Sequence, residues 1–393
     1  MFFANIVNSL GNFIWPFLAI FLTDRLGMDK AGAGLVVTLS ATVFAPGSLL
    51  GGKISDHFGR REVFLAARVF AALALLPCAF LGTSPVIPVL LVLTSFLTGA
   101  ADPSISAMVT DLTRRDDRQR AFSLLYLGHN IGFAVGPMVA GLLYANHLPL
   151  LFIGDALTTL ASVVLVARFV PETLPQRENQ PEPLHAAEKA EKGGLVQALL
   201  SRPEVLGIAV ILMVYSFVYT QSWFSLPIYL GDLFSAGGPK IFGMLMSVNA
   251  VTVVTLTALA TKLTVKMKPI SSIVLGGLFY AVGFGMIYYL RTIPLFILST
   301  VLWTMGEIVI AVSSAAFVAN NSPVSHRGRF NSFIRIVSGS GQAIGPTVMG
   351  RYIDRFGARM VWPVCFILAL VSSLIALGVR VSKDSSALRK KTL

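Results

Sequence analysis

The sequence predicts an all-α membrane protein of twelve transmembrane helices, arranged as two six-helix bundles related as parallel repeats. Three observations lead to this. The 393-residue chain is 55% hydrophobic and only 13% charged, about half the charged fraction of roughly 25% in a soluble domain. Twelve apolar stretches are long enough to cross about 30 Å of hydrocarbon. A block in the first half also returns, without a gap, 209 residues later.

The stretches lie near 2–23, 31–51, 63–82, 86–109, 120–145, 149–170, 206–230, 240–261, 270–290, 294–319, 330–350 and 360–380, and are numbered spans 1 to 12 in chain order. Residues 171–205 hold Pro171, Pro175, Pro181 and Pro183 among many Glu and Lys. They read as a solvated linker that ends in a short interfacial helix around Leu195–Leu200. The expected organisation is a first bundle over 1–170, a cytoplasmic linker over 171–205, a second bundle over 206–380 and a cytoplasmic tail over 381–393.

Charge fixes the expected orientation. Of the 31 Lys and Arg, 22 fall in loops on one side together with the C-terminal tail, seven fall in the opposite loops, and Arg68 and Arg335 lie inside spans. The positive side of a membrane protein is cytoplasmic, so both termini are expected inside, in a multi-pass protein of the cell (inner or plasma) membrane. The net charge of +12 then reflects orientation in the bilayer, and no nucleic-acid partner is expected. No cleavable leader is expected, and a short cytoplasmic start ahead of Met1 is. Cys78 and Cys365 both sit in apolar runs, which reads as two packed thiols with no disulfide framework and no metal site.

The repeat sets Arg118–Gly141 against Arg327–Gly350, with nine of twenty-four positions identical. It carries span 5 onto span 11, and it places Lys53 opposite Lys262. An internal repeat in an apolar chain is the mark of a two-halved transporter. The sequence contains no phosphate-binding P-loop, so the energy is expected from an ion gradient or from the substrate's own gradient, with no cofactor.

After span 2 stands Gly52-Lys53-Ile54-Ser55-Asp56-His57-Phe58-Gly59-Arg60-Arg61. It resembles the signature loop of the major facilitator superfamily, G-x-L-A-D-R-x-G-R-R/K, with departures at Ile54, Ser55 and His57. Gly52 and Gly59 permit close approach and a tight turn. Asp56 can sit at the start of span 11, where the helix dipole favours an anion by about 0.3–1 kcal/mol. Arg60 then needs a carboxylate, and Asp111 at the end of span 4 is the natural partner. Gly52, Asp56, Gly59, Arg60, Arg61 and Asp111 are thus expected to form a conformational latch, closed while the outer side is open.

Gly132, Gly136, Pro137 and Gly141 in span 5 resemble the antiporter motif of the superfamily's drug:proton antiporter branch, with Ala140-Gly141 in place of its paired glycines. Span 11 repeats the pattern with Gly341, Gly345 and Pro346. Small residues four apart let helix backbones approach closely, and the prolines kink the spans. Pro171-Glu172-Thr173 after span 6 also resembles the superfamily. Another stretch similar to the signature loop, Gly350 to Arg359, follows span 11 and so falls on the outer side. The second-half counterpart of the signature loop is Thr261–Lys268, where Val265 stands opposite Asp56.

Charges within spans name the candidate coupling groups. Glu307 lies mid-way along span 10, where a bare charge costs at least about 2.5–3.5 kcal/mol. It should face an interior cavity and exchange a proton, and the Gly306-Glu307 pair resembles a feature of some drug:proton antiporters. The other reading is an ion pair with Arg335. Asp102 in span 4 is either a second proton carrier or the structural partner of Arg68. Asp155 in span 6 reads first as a helix-start or gate residue, and His129 in span 5 as a packing or protonatable residue.

Polar stripes suggest the substrate cavity: Asn5, Asn8 and Asn12 on span 1, Tyr215, Tyr219 and Ser222 on span 7, Asn249 and Thr252 on span 8, and Arg335 on span 11. Trp15 and Trp223 read either as part of that lining or as interfacial anchors. In the superfamily that the motifs resemble, spans 1, 4, 7 and 10 line the cavity, in keeping with Asp102 and Glu307. The resemblance implies a monomeric secondary transporter, and the expected activity is proton-coupled efflux of a lipophilic or cationic small molecule. The alternatives are proton-coupled transport of a sugar, amino acid or organic acid, or a lipid flippase. Peptide uptake fits less well, because span 1 lacks the Glu/Arg cluster of that family. No Ser-His-Asp or metal-ligand arrangement supports an enzyme.

Overall fold

A computed structural model describes residues 1–113, 117–173, 203–264, 266–321 and 327–389. Most of the linker, the helix expected around 195–200, and Val265 lie outside the described residues, as do residues 390–393 of the tail. All the regular structure among the described residues is helical.

Spans 2 to 6 are Lys30–Phe58, Arg60–Leu75, Val86–Leu112, Arg118–Leu143 and Leu148–Phe169. Span 7 is Pro203–Tyr219, continued after a short turn by Ser225–Phe234; span 8 is Gly238–Thr264. Spans 9 to 12 are Pro269–Met286, Ile293–Asn321, Arg327–Phe356 and Val361–Arg389. By length and apolarity alone ten stretches qualify to cross a bilayer. One of them, Pro203–Thr264, is 62 residues long, and the chain reverses within it near Ser235, at φ 49°, so it supplies spans 7 and 8. Span 11 is 30 residues long and is set apart from those ten by its Arg and polar residues. With span 1, twelve helical spans result.

Span 1 departs from the single helix expected. Its first piece, Phe2–Leu10, stops at Gly11, and helix resumes at Ile14–Ile20 before a wide turn at Phe21–Arg25. Gly11 lies so close to the Thr158 hydroxyl of span 6 that a Cβ has no room. Pro16 in the first turn of the second piece needs no hydrogen-bond acceptor for its nitrogen.

The described chain forms two compact units that do not coincide with the sequence halves. The first takes Met1–Asn179, Trp223–Val254 and Pro346–Ala358; the second takes Gln180–Ser222, Thr255–Gly345 and Arg359–Leu393. Phe17 anchors the first, stacked on Tyr144 at 5.7 Å and meeting Phe242 edge-on at 5.1 Å. In the second, Phe284 lies stacked between Trp303 and Trp362, at 5.5 and 6.5 Å.

The repeat has a direct structural use inside the first unit. Gly34 of span 2 abuts the carbonyl of Pro346, and Gly243 of span 8 abuts the carbonyl of Pro137. Gly350 abuts the carbonyl of Lys30, and Gly141 that of Pro239. Each residue of one seam lies 209 positions from its counterpart in the other. Glycine is required at all four places because a Cβ would meet backbone atoms, which cannot swing aside. The other motif glycines pack likewise: Gly132 and Gly136 on span 1, Gly341 on the Met213 carbonyl, Gly345 against Thr220 and Gln221.

Candidate functional site

A cavity of about 240 Å³ lies within the first unit, among spans 1, 3, 4, 5 and 6. Six residues expected from the sequence line it: Asn5, Asn8, Asn12, Asp102, His129 and Asp155; Arg68 and Trp15 join them. Asn5 and Asn8 share a helical face by their spacing, whereas Asn12, expected on the same face, lies in the break between the two helical pieces of span 1. The break after Leu10 gives that face its chemistry. It leaves backbone N–H groups at the start of the Ile14–Ile20 piece, and the Asp155 carboxylate accepts from Ile14 N at 3.4 Å. Asp155 is only 9% exposed. A carboxylate placed there satisfies donors that a helix start cannot satisfy itself and meets the positive end of its dipole. Asp155 thus caps a helix, but it is the second piece of span 1 rather than its own.

Arg68 is the cationic centre of the cavity. Its Nη1 donates to Asn8 Oδ1 at 3.4 Å, its guanidinium lies 5.8 Å from the centre of the Phe64 ring, and the charges of Asp102 and Asp155 both act on it. Its Nε is buried and has no hydrogen-bond partner among the described residues. His129 Nδ1 shares a hydrogen bond of 2.9 Å with the Ser9 hydroxyl, either group able to donate. The His129 ring stacks on Phe133 at 5.9 Å, and Phe133 meets Trp223 edge-on at 5.3 Å. Asn5 donates to the Leu125 carbonyl at 2.7 Å, tying span 1 to span 5.

A second cavity, of about 170 Å³, lies within the second unit and is lined by Tyr215, Tyr219 and Tyr280 with Ser216, Ser338 and Gln342. The Tyr215 and Ser373 hydroxyls are 2.8 Å apart, and Tyr219 stacks on Tyr280 at 6.2 Å. Glu307 is half-buried on span 10, and its charge acts on the buried Tyr280 phenol. Arg335 is exposed on span 11. Ser222 is fully buried, with its hydroxyl donating to the Tyr219 carbonyl at 2.7 Å within its own turn. Asn249 and Thr252 are buried in the first unit, away from the cavity lining described above.

Eight of the expected polar residues therefore divide between two cavities, while Ser222, Asn249, Thr252, Glu307 and Arg335 are not among the lining of either. Sequence reasoning misses Ser9, Thr94, Thr98 and Thr159 in the first cavity and Tyr280, Ser338 and Gln342 in the second. Thr94, Thr98 and Asp102 recur at every fourth position, a legible stripe. Tyr280 sits in an almost wholly apolar span, and its neighbours there give no signal.

At the loop between spans 2 and 3, Arg60 and Asp111 form an ion pair. Glu172 accepts from the backbone N–H groups of Arg60 and Arg61, at 2.9 and 3.0 Å, so the Pro171-Glu172-Thr173 segment caps span 3. Gly59 turns the chain at φ 109°, and the Glu172 carboxylate fills the space a Cβ would need. Gly52 has ordinary clearance from Pro103, 3.7 Å, and the close approach falls to Gly51 against Ala100 instead. The Arg61 guanidinium bonds to the Ala167 carbonyl and to Glu62. Asp56 stands exposed at the surface of the unit.

Residues 1–346 match the sequence profile of the Major Facilitator Superfamily. The chain is 26% identical over 371 residues to the uncharacterized MFS-type transporter YqjV of Bacillus subtilis, covering 93% of this chain and 87% of that one. It is 26% identical to multidrug resistance protein MdtH of Yersinia pestis, covering 90% and 86%. It is 23% identical to a Na(+), Li(+), K(+)/H(+) antiporter of Planococcus maritimus, covering 85% and 84%. Among solved structures, a variant of the peptide transporter POT superposes with a TM-score of 0.81 at 17% identity, covering 96% and 93%; at that identity the likeness speaks for the fold alone. With its profile match reaching from residue 1 to residue 346, and with the helical spans and internal repeat already described, the chain belongs to the Major Facilitator Superfamily: it is a multi-pass membrane protein and a secondary transporter, not an enzyme.

Proposed function

We propose that this transporter couples inward proton movement to the efflux of lipophilic or cationic small molecules, acting as a monomer with both termini in the cytoplasm and with no cofactor beyond the proton gradient. The observation that carries the reading is the first-unit cavity, where Asp102, Asp155 and His129 gather around Arg68. A cavity with two carboxylates and one fixed cation has one negative charge in excess when all are ionised. A cationic substrate and a proton compete for that excess, and competition for one site is the simplest basis of antiport. Glu307 offers a third carboxylate in the other unit, where its charge acts on Tyr280 and Tyr280 stacks on Tyr219 of span 7, a place where a lipophilic cation gains cation–π contact. Protonation from outside then releases the substrate outward, and loss of the proton to the cytoplasm resets the site. The names of two relatives, a multidrug resistance protein and a cation/H(+) antiporter, support this reading.

A second reading rests on Arg68. Its guanidinium keeps a buried Nε without a partner among the described residues, which suits a substrate carboxylate or phosphate, and this favours proton-coupled transport of a small anionic or zwitterionic metabolite. Everted membrane vesicles separate the two. With an acid interior, a fluorescent lipophilic cation should accumulate, and its entry should discharge the pH gradient; this response should fail in Asp102→Asn and Glu307→Gln. Discharge of the gradient by amino acids or organic acids, with none by lipophilic cations, would replace the first reading with the second.

A further inference from the structure

We infer that Asp354 is a gate-positioning residue, holding span 11 on the start of span 2 at the end opposite the Arg60 loop, and that it must let go for that end to open. One carboxylate oxygen accepts from Lys30 N at 3.0 Å and the other from Ala31 N at 2.8 Å. The first four N–H groups of a helix have no partner within it. Here the Asp29 side chain takes the next one, from Gly32 N at 3.0 Å, and the regular helical ladder begins with Ala33 N on the Asp29 carbonyl. Of the three N–H groups at Lys30, Ala31 and Gly32, the helix's own cap thus satisfies one and a residue 324 positions from Lys30 satisfies two.

The surroundings show a seam built to close. Below Asp354, the Gly350 and Gly34 contacts bring the two backbones together, and the Thr347 hydroxyl donates to Thr38 Oγ1 at 2.8 Å. The partner seam between spans 5 and 8 repeats the glycine contacts 209 positions away, yet it lacks the clasp. Ala145 stands where Asp354 would be, and Pro239, which has no N–H to give, stands opposite Lys30. The clasp is exposed to solvent, so water can take over its donors once it parts, as a gate used in every cycle requires.

The test reads access to the seam. In full-length protein carrying Thr38→Cys with Cys78→Ser and Cys365→Ser, a membrane-impermeant maleimide is applied to intact cells and, separately, to everted vesicles. Asp354→Ala should raise labelling several-fold, Asp354→Glu should restore most of the protection, and Asp29→Ala should leave labelling near the starting level, since it frays the helix without parting the seam. Gly350→Ala, which pushes the Lys30 carbonyl away, should also raise labelling and covers the case in which Asp354→Ala does not reach the membrane. Unchanged labelling in both variants, or an equal rise in Asp29→Ala, would overturn the assignment. A rise confined to everted vesicles would support the gate and reverse the orientation taken from charge.

Discussion

Gly34 and Gly243 stand 209 residues apart in sequence and make the same contact, each pressed against the carbonyl of a proline, Pro346 for one and Pro137 for the other. The internal repeat is thereby a packing device and not only a trace of ancestry.

Equivalent contacts should respond equally. Gly34→Ala and Gly243→Ala each force a methyl group against a backbone carbonyl, an overpacking worth about 1–3 kcal/mol. Both should lower the unfolding temperature in detergent and slow transport to a similar extent. Gly207→Ala is the control, because a Cβ there meets nothing within 4 Å and alanine in a helix is favoured over glycine by about 0.8–1 kcal/mol. Unequal effects at Gly34 and Gly243 would mean that the two seams do different work.

The cap of span 3 should be measurable as stability. Glu172→Ala removes the acceptor of the Arg60 and Arg61 N–H groups, and loss of such a cap costs about 0.5–2 kcal/mol. Thermal unfolding should shift down, with Glu172→Gln falling between the two. Because the cap fixes the turn at Gly59 that follows the helix end carrying Asp56, Glu172→Ala should also weaken the expected latch, which distance measurements between labelled spans would report.

Much of this is legible in the sequence, for identifiable reasons. Hydrophobic runs give the spans because the bilayer sets their length, and Arg60 points to Asp111 because a charge at a helix end needs a partner. Asn5 and Asn8 are visible because helical periodicity puts spaced polar residues on one face, and Asn12 reaches the same cavity although it lies in the break that interrupts the helix. What stays hidden depends on distant partners. The break in span 1 is made by Thr158 and Asp155 of span 6, the cap of span 3 by Glu172 from beyond span 6, and the clasp on span 2 by Asp354. Periodicity within one segment says nothing of such contacts. Chemistry alone groups Tyr215 and Glu307 with the span 1 asparagines, whereas the fold assigns them to the other unit.

Arg68 should be the most sensitive cavity residue. Arg68→Ala leaves Asp102 and Asp155 without their cation, and substrate-driven flux should fall by about tenfold or more, the effect of about 1.4 kcal/mol on a barrier. Arg68→Lys keeps charge but not the forked donor geometry, so it should recover only part of the rate. Full activity in Arg68→Ala would move the substrate site away from this cavity.

Asp155 should separate structure from coupling. Asp155→Asn keeps an oxygen to accept from Ile14 N, whereas Asp155→Ala keeps none. If its role is to cap the second piece of span 1, Asp155→Asn should fold and transport almost normally while Asp155→Ala loses both. If it carries the proton, Asp155→Asn should fold well yet lose the response to pH.

Purified protein in liposomes enclosing a pH-sensitive dye tests the central claim most directly. Addition of a lipophilic cation should trigger proton movement in the opposite direction, saturating with substrate and lost in Glu307→Gln, which carries the charge of the protonated site and should also bind the cation more weakly. Proton movement that ignores the cation, or coupling that survives unchanged in Glu307→Gln and Asp102→Asn together, would contradict carboxylate-coupled antiport.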